Sequence, residues 1–176
     1  MEIEYEATFS NIDKEEMREK LKDIGASLIY PEFLQIRTAF FLPKANEVDG
    51  GWVRLRQEQD KITLSLKVFD GDQIEDQKEI ALEVEDFHTA KQFLEGIGCK
   101  QKAYQENKRE LWKIGDIEIT IDEWPFLEPF IEIEGKSEKE IKGVAEKLGF
   151  NYLKAIFGPV GILYNRKYNV PDFYSV

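Results

Sequence analysis

Carboxylates recur at every second residue along three stretches of this chain, a spacing that sets them on one face of an extended strand. Ile117 to Trp124 carries Glu118 and Asp122 among isoleucines, Phe130 to Gly135 carries Glu132 and Glu134, and Glu2 to Phe9 carries Glu2, Glu4 and Glu6 ahead of Thr8. A surface strand ordinarily mixes Lys, Thr, Ser and Gln on its wet side, so a row of acids asks for a cation. Hard oxygen donors of this kind suit Mg²⁺ or Mn²⁺, held inside a polar barrel.

Basic side chains follow the same alternation in the middle of the chain. Arg54 and Arg56 share a face opposite Val53 and Leu55, Lys67 follows Thr63 and Ser65, Arg109 follows Gln105 and Asn107, and Arg37 follows Gln35. Glu79 and Glu83 repeat the acidic theme. If all these faces met solvent, the protein would be a sheet with helices on its apolar side and nothing more. Segregation by sign argues against that: acidic strands near the chain ends and basic strands between them make poor surface pairs but a good two-sided site. Carboxylates holding a metal, opposed by guanidinium and ammonium groups, are what a metal-chelated polyphosphate requires.

The elements that must position these groups are strands at Glu2–Phe9, Phe33–Leu42, Trp52–Arg56, Lys61–Phe69, Glu79–Val84, Tyr104–Trp112, Ile117–Trp124 and Phe130–Gly135. Asp49-Gly50-Gly51 and Asp70-Gly71-Asp72 are turn signals that join the central strands as an antiparallel meander. Asp13 with Glu16, Asp86, and Ser137 with Glu140 mark three helix starts, and Met17, Leu21 and Ile24, or Ile141, Val144, Ala145 and Leu148, form buried stripes. Three times a strand with two glutamates precedes a helix that ends in an apolar residue and glycine, at Ile24-Gly25, Ile97-Gly98 and Leu148-Gly149. Internal pseudo-symmetry follows. Residues 151–176 form an aromatic tail with Tyr164, Tyr168, Phe173 and Tyr174, read either as a segment on the outside of the sheet or as a lid over one mouth.

At 176 residues and a net charge of −11, with 42% hydrophobic residues, the chain reads as one globular domain with an acidic surface. That charge opposes binding to nucleic acid or to an anionic membrane. No apolar run approaches spanning length and no signal-peptide core opens the chain, so the expected location is the cytoplasm. The one cysteine, Cys99, reads as a structural thiol, and the one histidine, His88, as a surface residue on a helix. Nucleophilic triads, phosphate-loop glycines and zinc spacings do not occur.

In order and spacing, Glu4-x-Glu6, Arg54-x-Arg56, Lys67, Arg109, Asp122 and Glu132-x-Glu134-Gly135 resemble the CYTH superfamily, the triphosphate tunnel metalloenzymes. The resemblance spans nearly the whole chain and implies an α+β fold, an antiparallel eight-stranded β-barrel with helices packed outside and a triphosphate in its polar interior. It implies Glu4, Glu6, Asp122, Glu132 and Glu134 as metal ligands, Arg37, Arg54, Arg56, Lys67 and Arg109 as the substrate-binding set, and Glu4, Glu6, Arg56 and Lys67 as the catalytic set. Two departures stand out: Thr8 occupies the lysine position of the family's Glu-x-Glu-x-Lys motif, and Asn107 opens a Lys-x-Arg pattern ending at Arg109. Arg37, or Arg166 and Lys167 from the tail, could supply the missing charge. The expected activity is hydrolysis of a phosphoanhydride in tripolyphosphate or an organic triphosphate. Cyclisation of ATP to cyclic AMP, and triphosphate binding without turnover, are the alternatives. The partner is a small-molecule triphosphate, and both a monomer and a homodimer are open.

Overall fold

Alternation of apolar and polar residues carries through the computed structural model, which describes residues 1–169. Its strands are β1 (Glu2–Ile3), β2 (Tyr5–Ser10), β3 (Ser27–Phe41), β4 (Gly51–Glu58), β5 (Lys61–Phe69), β6 (Gln77–Val84), β7 (Lys100–Ile114), β8 (Ile117–Glu123) and β9 (Phe130–Gly135). All neighbours pair antiparallel, in the order β1-β6-β5-β4-β3-β7-β8-β9-β2. Glu4 alone separates β1 from β2, yet β1 pairs with β6 and β2 with β9. The two edges of the sheet are therefore halves of one run, and the sheet curls into a nearly closed barrel. The expected strand count was eight, and nine are found because the N-terminal run breaks at Glu4.

Gln77 ties this seam. Its backbone carbonyl accepts from Glu4 N–H at 2.9 Å, its side-chain Nε2 donates to the Glu6 carbonyl at 2.9 Å, and its Oε1 accepts from Gly158 N–H at 2.8 Å. Two strands are longer than the sequence pattern predicts. β3 begins at Ser27, running through Pro31 with register shifts between Leu28 and Phe33, and β7 spans Lys100 to Ile114. Shifts in pairing absorb Pro31, which lacks an N–H donor.

Helices α1 (Lys14–Asp23), α2 (Phe87–Gly96) and α3 (Glu138–Lys147) lie outside the barrel. Asp13, Asp86 and Ser137 cap them, accepting from the N–H groups of Glu16, Thr89 and Glu140. Each ends in the same way: Gly25, Gly98 and Gly149 have φ of 84°, 96° and 88°, and the residue after each glycine donates back to the helix, Ala26 to Leu21, Cys99 to Leu94 and Phe150 to Ala145. This threefold recurrence of a left-handed helix stop matches the repeat seen in the sequence. Met17 and Leu21 of α1 pack with Ile141, Val144 and Ala145 of α3 over the apolar faces of β2, β8 and β9, while Ala90 and Leu94 of α2 cover Val53 and Leu55. Cys99 is buried and unbridged, and His88 is exposed.

The tail adds a fourth helix, α4 (Gly161–Tyr168), which the pattern does not announce: it starts on glycine and has no side-chain cap. Leu163 and Tyr164 pack against Trp124, Phe130 and Ile156. Phe173 and Tyr174 lie outside the described residues. No helix among the described residues is long and apolar enough to cross a membrane.

Candidate functional site

With the helices holding the apolar faces outside, the polar faces turn inward around a cavity of about 730 Å³. Glu4, Glu6, Glu132 and Glu134 line it from β2, β9 and the seam, and Arg37, Arg54, Arg56, Lys67 and Arg109 line it from β3, β4, β5 and β7. Strand register explains the grouping. Arg37 lies opposite Arg56 across β3 and β4, and Glu6 opposite Glu134 across β2 and β9, so like charges gather on each wall.

On the acidic wall, one carboxylate oxygen from each of Glu4, Glu6 and Glu134 lies within 4.8 Å of the other two. Three carboxylates at that separation are costly without a cation between them. Burial lifts the Glu4 carboxyl to about 7 against the pull of Lys67, with Glu79 adding to the rise. Burial, Glu132 and Glu4 push Glu6 well above its ordinary value, and burial raises Glu134. Among the described residues, Lys67 is the one cation paired with this cluster, donating to Glu4 at 2.7 Å. An oxygen-only donor set with unbalanced negative charge fits a hard divalent ion.

The basic wall has the opposite imbalance. Burial, then the neighbouring Arg54 and Arg109, pull Arg37 down to about 9, and burial with Arg54 also lowers Arg56. Both guanidiniums stay protonated near neutral pH, and the part of the depression that comes from the neighbouring arginines is one that an anion would relieve. Arg37 forms no ion pair among the described residues: its Nε donates to Gln105 at 3.0 Å, and its guanidinium stands 4.1 Å from the centroid of the Trp124 ring. Arg54 and Arg56 each pair with one carboxylate, Glu79 at 3.2 Å and Glu58 at 3.0 Å, yet the Nε of both is buried without an acceptor. Buried charged donors left unpaired are rare unless a ligand completes them.

Asp122 is placed differently from the other acids. It is fully buried and absent from the cavity lining, where it accepts from Arg109 Nε and Nη2, both at 2.8 Å, from Asn107 Nδ2 at 2.7 Å and from Thr120 Oγ1 at 2.8 Å. Glu132 meets Arg109 Nη2 at 2.6 Å. Thr8 is buried beyond Glu6, and its backbone exchanges hydrogen bonds with Ile156 at 2.9 and 3.0 Å. Arg166 is not among the cavity residues, and Lys167 pairs outside with Glu128 at 2.8 Å, so the tail charges do not reach in.

Sequence reasoning missed several groups. Glu58 sits two residues past Arg56 on the same face and pairs with it, a position that alternation alone would have reached. Lys102, Tyr164 and the Gly158–Gly161 segment also line the cavity.

The CYTH domain family matches residues 1–157. No match was found among curated proteins. Among solved structures, a protein of Pyrococcus horikoshii shares 20% identity, with 91% of this chain and 98% of that one covered and a TM-score of 0.75. A Vibrio parahaemolyticus protein named as a candidate adenylate cyclase shares 13% identity over 93% of this chain and 98% of its own, with a TM-score of 0.78. A Hippeastrum protein, named as a candidate adenylyl cyclase with a dominant triphosphatase activity, shares 13% identity over 97% and 98%, with a TM-score of 0.58. Likeness at these identities speaks for the fold.

Proposed function

The chain belongs to the CYTH domain family, and from that premise we propose that it binds a metal-chelated triphosphate and hydrolyses a phosphoanhydride bond of tripolyphosphate or an organic triphosphate. The observation that carries this reading is the pair of facing imbalances in one cavity: a three-carboxylate cluster short of cations, and arginines whose buried Nε atoms lack acceptors. A bare cation would leave the arginines unanswered, and a bare anion would leave the carboxylates.

Glu4, Glu6 and Glu134 would hold Mg²⁺ or Mn²⁺, with Glu132 beside them. The bound ion would neutralise phosphate oxygens and lower the pKa of a water. The protein's own part is positioning and charge. Arg37, Arg54 and Arg109 orient the phosphate chain, with forked donors that match phosphate oxygens. Arg56 and Lys67 stabilise the charge that spreads over the oxygens of the transferred phosphoryl group. Glu4 and Glu6 fix the side from which water approaches. The triphosphatase activity in the name of the Hippeastrum neighbour supports hydrolysis over cyclisation. Such a protein would work in the cytoplasm, as a monomer or homodimer.

A second reading, triphosphate binding without turnover, is favoured by Thr8, which puts no positive charge where the family has lysine. A phosphate-release screen over tripolyphosphate, ATP and thiamine triphosphate with Mg²⁺ or Mn²⁺, with cyclic AMP followed in parallel, separates the readings. Release of phosphate that is lost in Glu4→Gln and Arg56→Ala supports hydrolysis. Binding without release, with activity gained in Thr8→Lys, supports the second reading. Activity indifferent to Glu4 and Arg56 would remove the site from consideration.

A further inference from the structure

We propose that Asp122 is not a metal ligand in this protein but a positioning residue that fixes Arg109 as a phosphate ligand. The inference rests on the reading of the cavity as a triphosphate site. An ionised carboxylate offers about four lone-pair directions. In Asp122 all four are taken: Oδ1 accepts from Asn107 Nδ2 and Arg109 Nε, and Oδ2 accepts from Arg109 Nη2 and Thr120 Oγ1. A metal would have to displace one of these donors inside a site from which solvent is shut out, since Asp122 has no exposed surface. The Glu4, Glu6 and Glu134 oxygens, by contrast, converge on one another and meet a single ammonium among the described residues.

Asn107 makes the difference intelligible. At this position the Lys-x-Arg pattern would bring a second positive charge next to Asp122. The asparagine amide instead supplies a neutral donor at 2.7 Å, leaving the full charge of Asp122 for the guanidinium of Arg109. Arg109 is thereby held by a two-point fork that sets the plane of its guanidinium, while Nη2 also reaches Glu132. Nη1 takes part in none of these bonds, and Arg109 lines the cavity. A long, flexible side chain is fixed before any phosphate arrives, so less conformational freedom is lost on binding.

The test measures two affinities on the full chain, Mn²⁺ without phosphate and tripolyphosphate in EDTA, for wild type and Asp122→Asn. Asp122→Asn is expected to keep Mn²⁺ affinity within about twofold and to weaken metal-free tripolyphosphate binding by about tenfold or more, as loss of a buried charged partner does. A tenfold loss of Mn²⁺ affinity, or unchanged tripolyphosphate binding, would overturn the proposal. Should Asp122→Asn fail to fold, the wild-type protein gives the answer by nuclear magnetic resonance. The Arg109 Nε–H resonance, assigned by its loss in Arg109→Lys, is expected to stay in place when Mg²⁺ saturates the protein. Its displacement by Mg²⁺ would show the fork opened by metal and would end the proposal. If wild type binds no tripolyphosphate at all, the functional reading fails, and the Mn²⁺ and resonance measurements still decide whether Asp122 meets metal.

Discussion

Lys67 on β5 donates to Glu4 at the seam of the barrel at 2.7 Å and reaches Glu79 on β6 at 3.3 Å, so one ammonium joins the basic wall to the acidic one. It answers one carboxylate of the Glu4, Glu6 and Glu134 cluster, and the remaining negative charge has consequences for stability as well as for ligand choice.

The metal-free protein is expected to lose stability as pH rises from about 4.5 to 8. Glu4 has a folded value of about 7 against an ordinary 4.5, and Glu6 is also raised. The native state therefore holds more protons than the unfolded chain in that window, and the unfolding free energy falls with pH, by an amount on the order of 3 kcal/mol from Glu4 alone. Urea unfolding in EDTA at pH 5 and pH 8 measures the change. Saturating Mg²⁺ is expected to restore stability at pH 8, because it binds the folded state. A metal-free protein equally stable at both pH values would refute the strained cluster.

Arg56→Ala should weaken tripolyphosphate binding by roughly 10- to 100-fold, the usual effect of deleting a charge-assisted donor from a buried site. The fold should survive, since Arg56 lines the cavity and Glu58, the carboxylate that its Nη2 pairs with, keeps its hydrogen bond from Gln35 Nε2. Isothermal titration with and without Mg²⁺ gives the affinity, and thermal unfolding checks the fold. Equal affinity in wild type and variant would take Arg56 out of the site.

Much of this site could be read from parity. Glu4, Glu6, Arg54, Arg56, Lys67, Arg109, Glu132 and Glu134 all stand where alternation places them, because a strand has two faces and the helices bury the apolar one. Parity says which face a residue occupies, not what its neighbours do with it. Asp122 shares the inner face yet is sealed by donors from β7 and β8, a fact of register between Arg109 and Asp122 that one strand cannot disclose. Gln77 lies two residues before the strand that alternation marks at Glu79–Val84, and its role at the seam exists because the chain returns there at Gly158. Helix α4 escaped notice for a local reason: eight residues with a glycine start and no side-chain cap carry little helical signal of their own, and packing on Trp124 and Phe130 supplies the rest.

Outside the barrel, Arg18 of α1 clamps β7 through Glu110, donating from Nε at 3.0 and 3.2 Å, with Nη2 also paired to the same carboxylate. Trp112 Nε1 donates to it at 3.2 Å. Glu110 is 3% exposed, so Arg18→Met would leave a buried carboxylate with one neutral donor. The expected cost is about 2–4 kcal/mol, read as a lower urea midpoint at pH 7. A midpoint equal to that of wild type would show that the Arg18–Glu110 pair contributes nothing to stability.

Glu58 is an acid on the basic wall, and its removal should strengthen binding. Its carboxylate accepts from Gln35 Nε2 at 2.8 Å and pairs with Arg56 Nη2 at 3.0 Å. Burial alone would raise its pKa, but Arg56, Arg109 and Lys61 outweigh that and hold it below the ordinary value. It therefore stays charged through the physiological range and occupies one edge of a guanidinium that a phosphate would use. Glu58→Gln keeps the shape while taking away the competing charge. Tripolyphosphate affinity in EDTA is expected to rise about fivefold or more, since a nearby negative charge both repels the ligand and holds its donor. Weaker binding in Glu58→Gln would mean that the carboxylate orients Arg56 for the ligand, and the resident-anion account of this pair would be wrong.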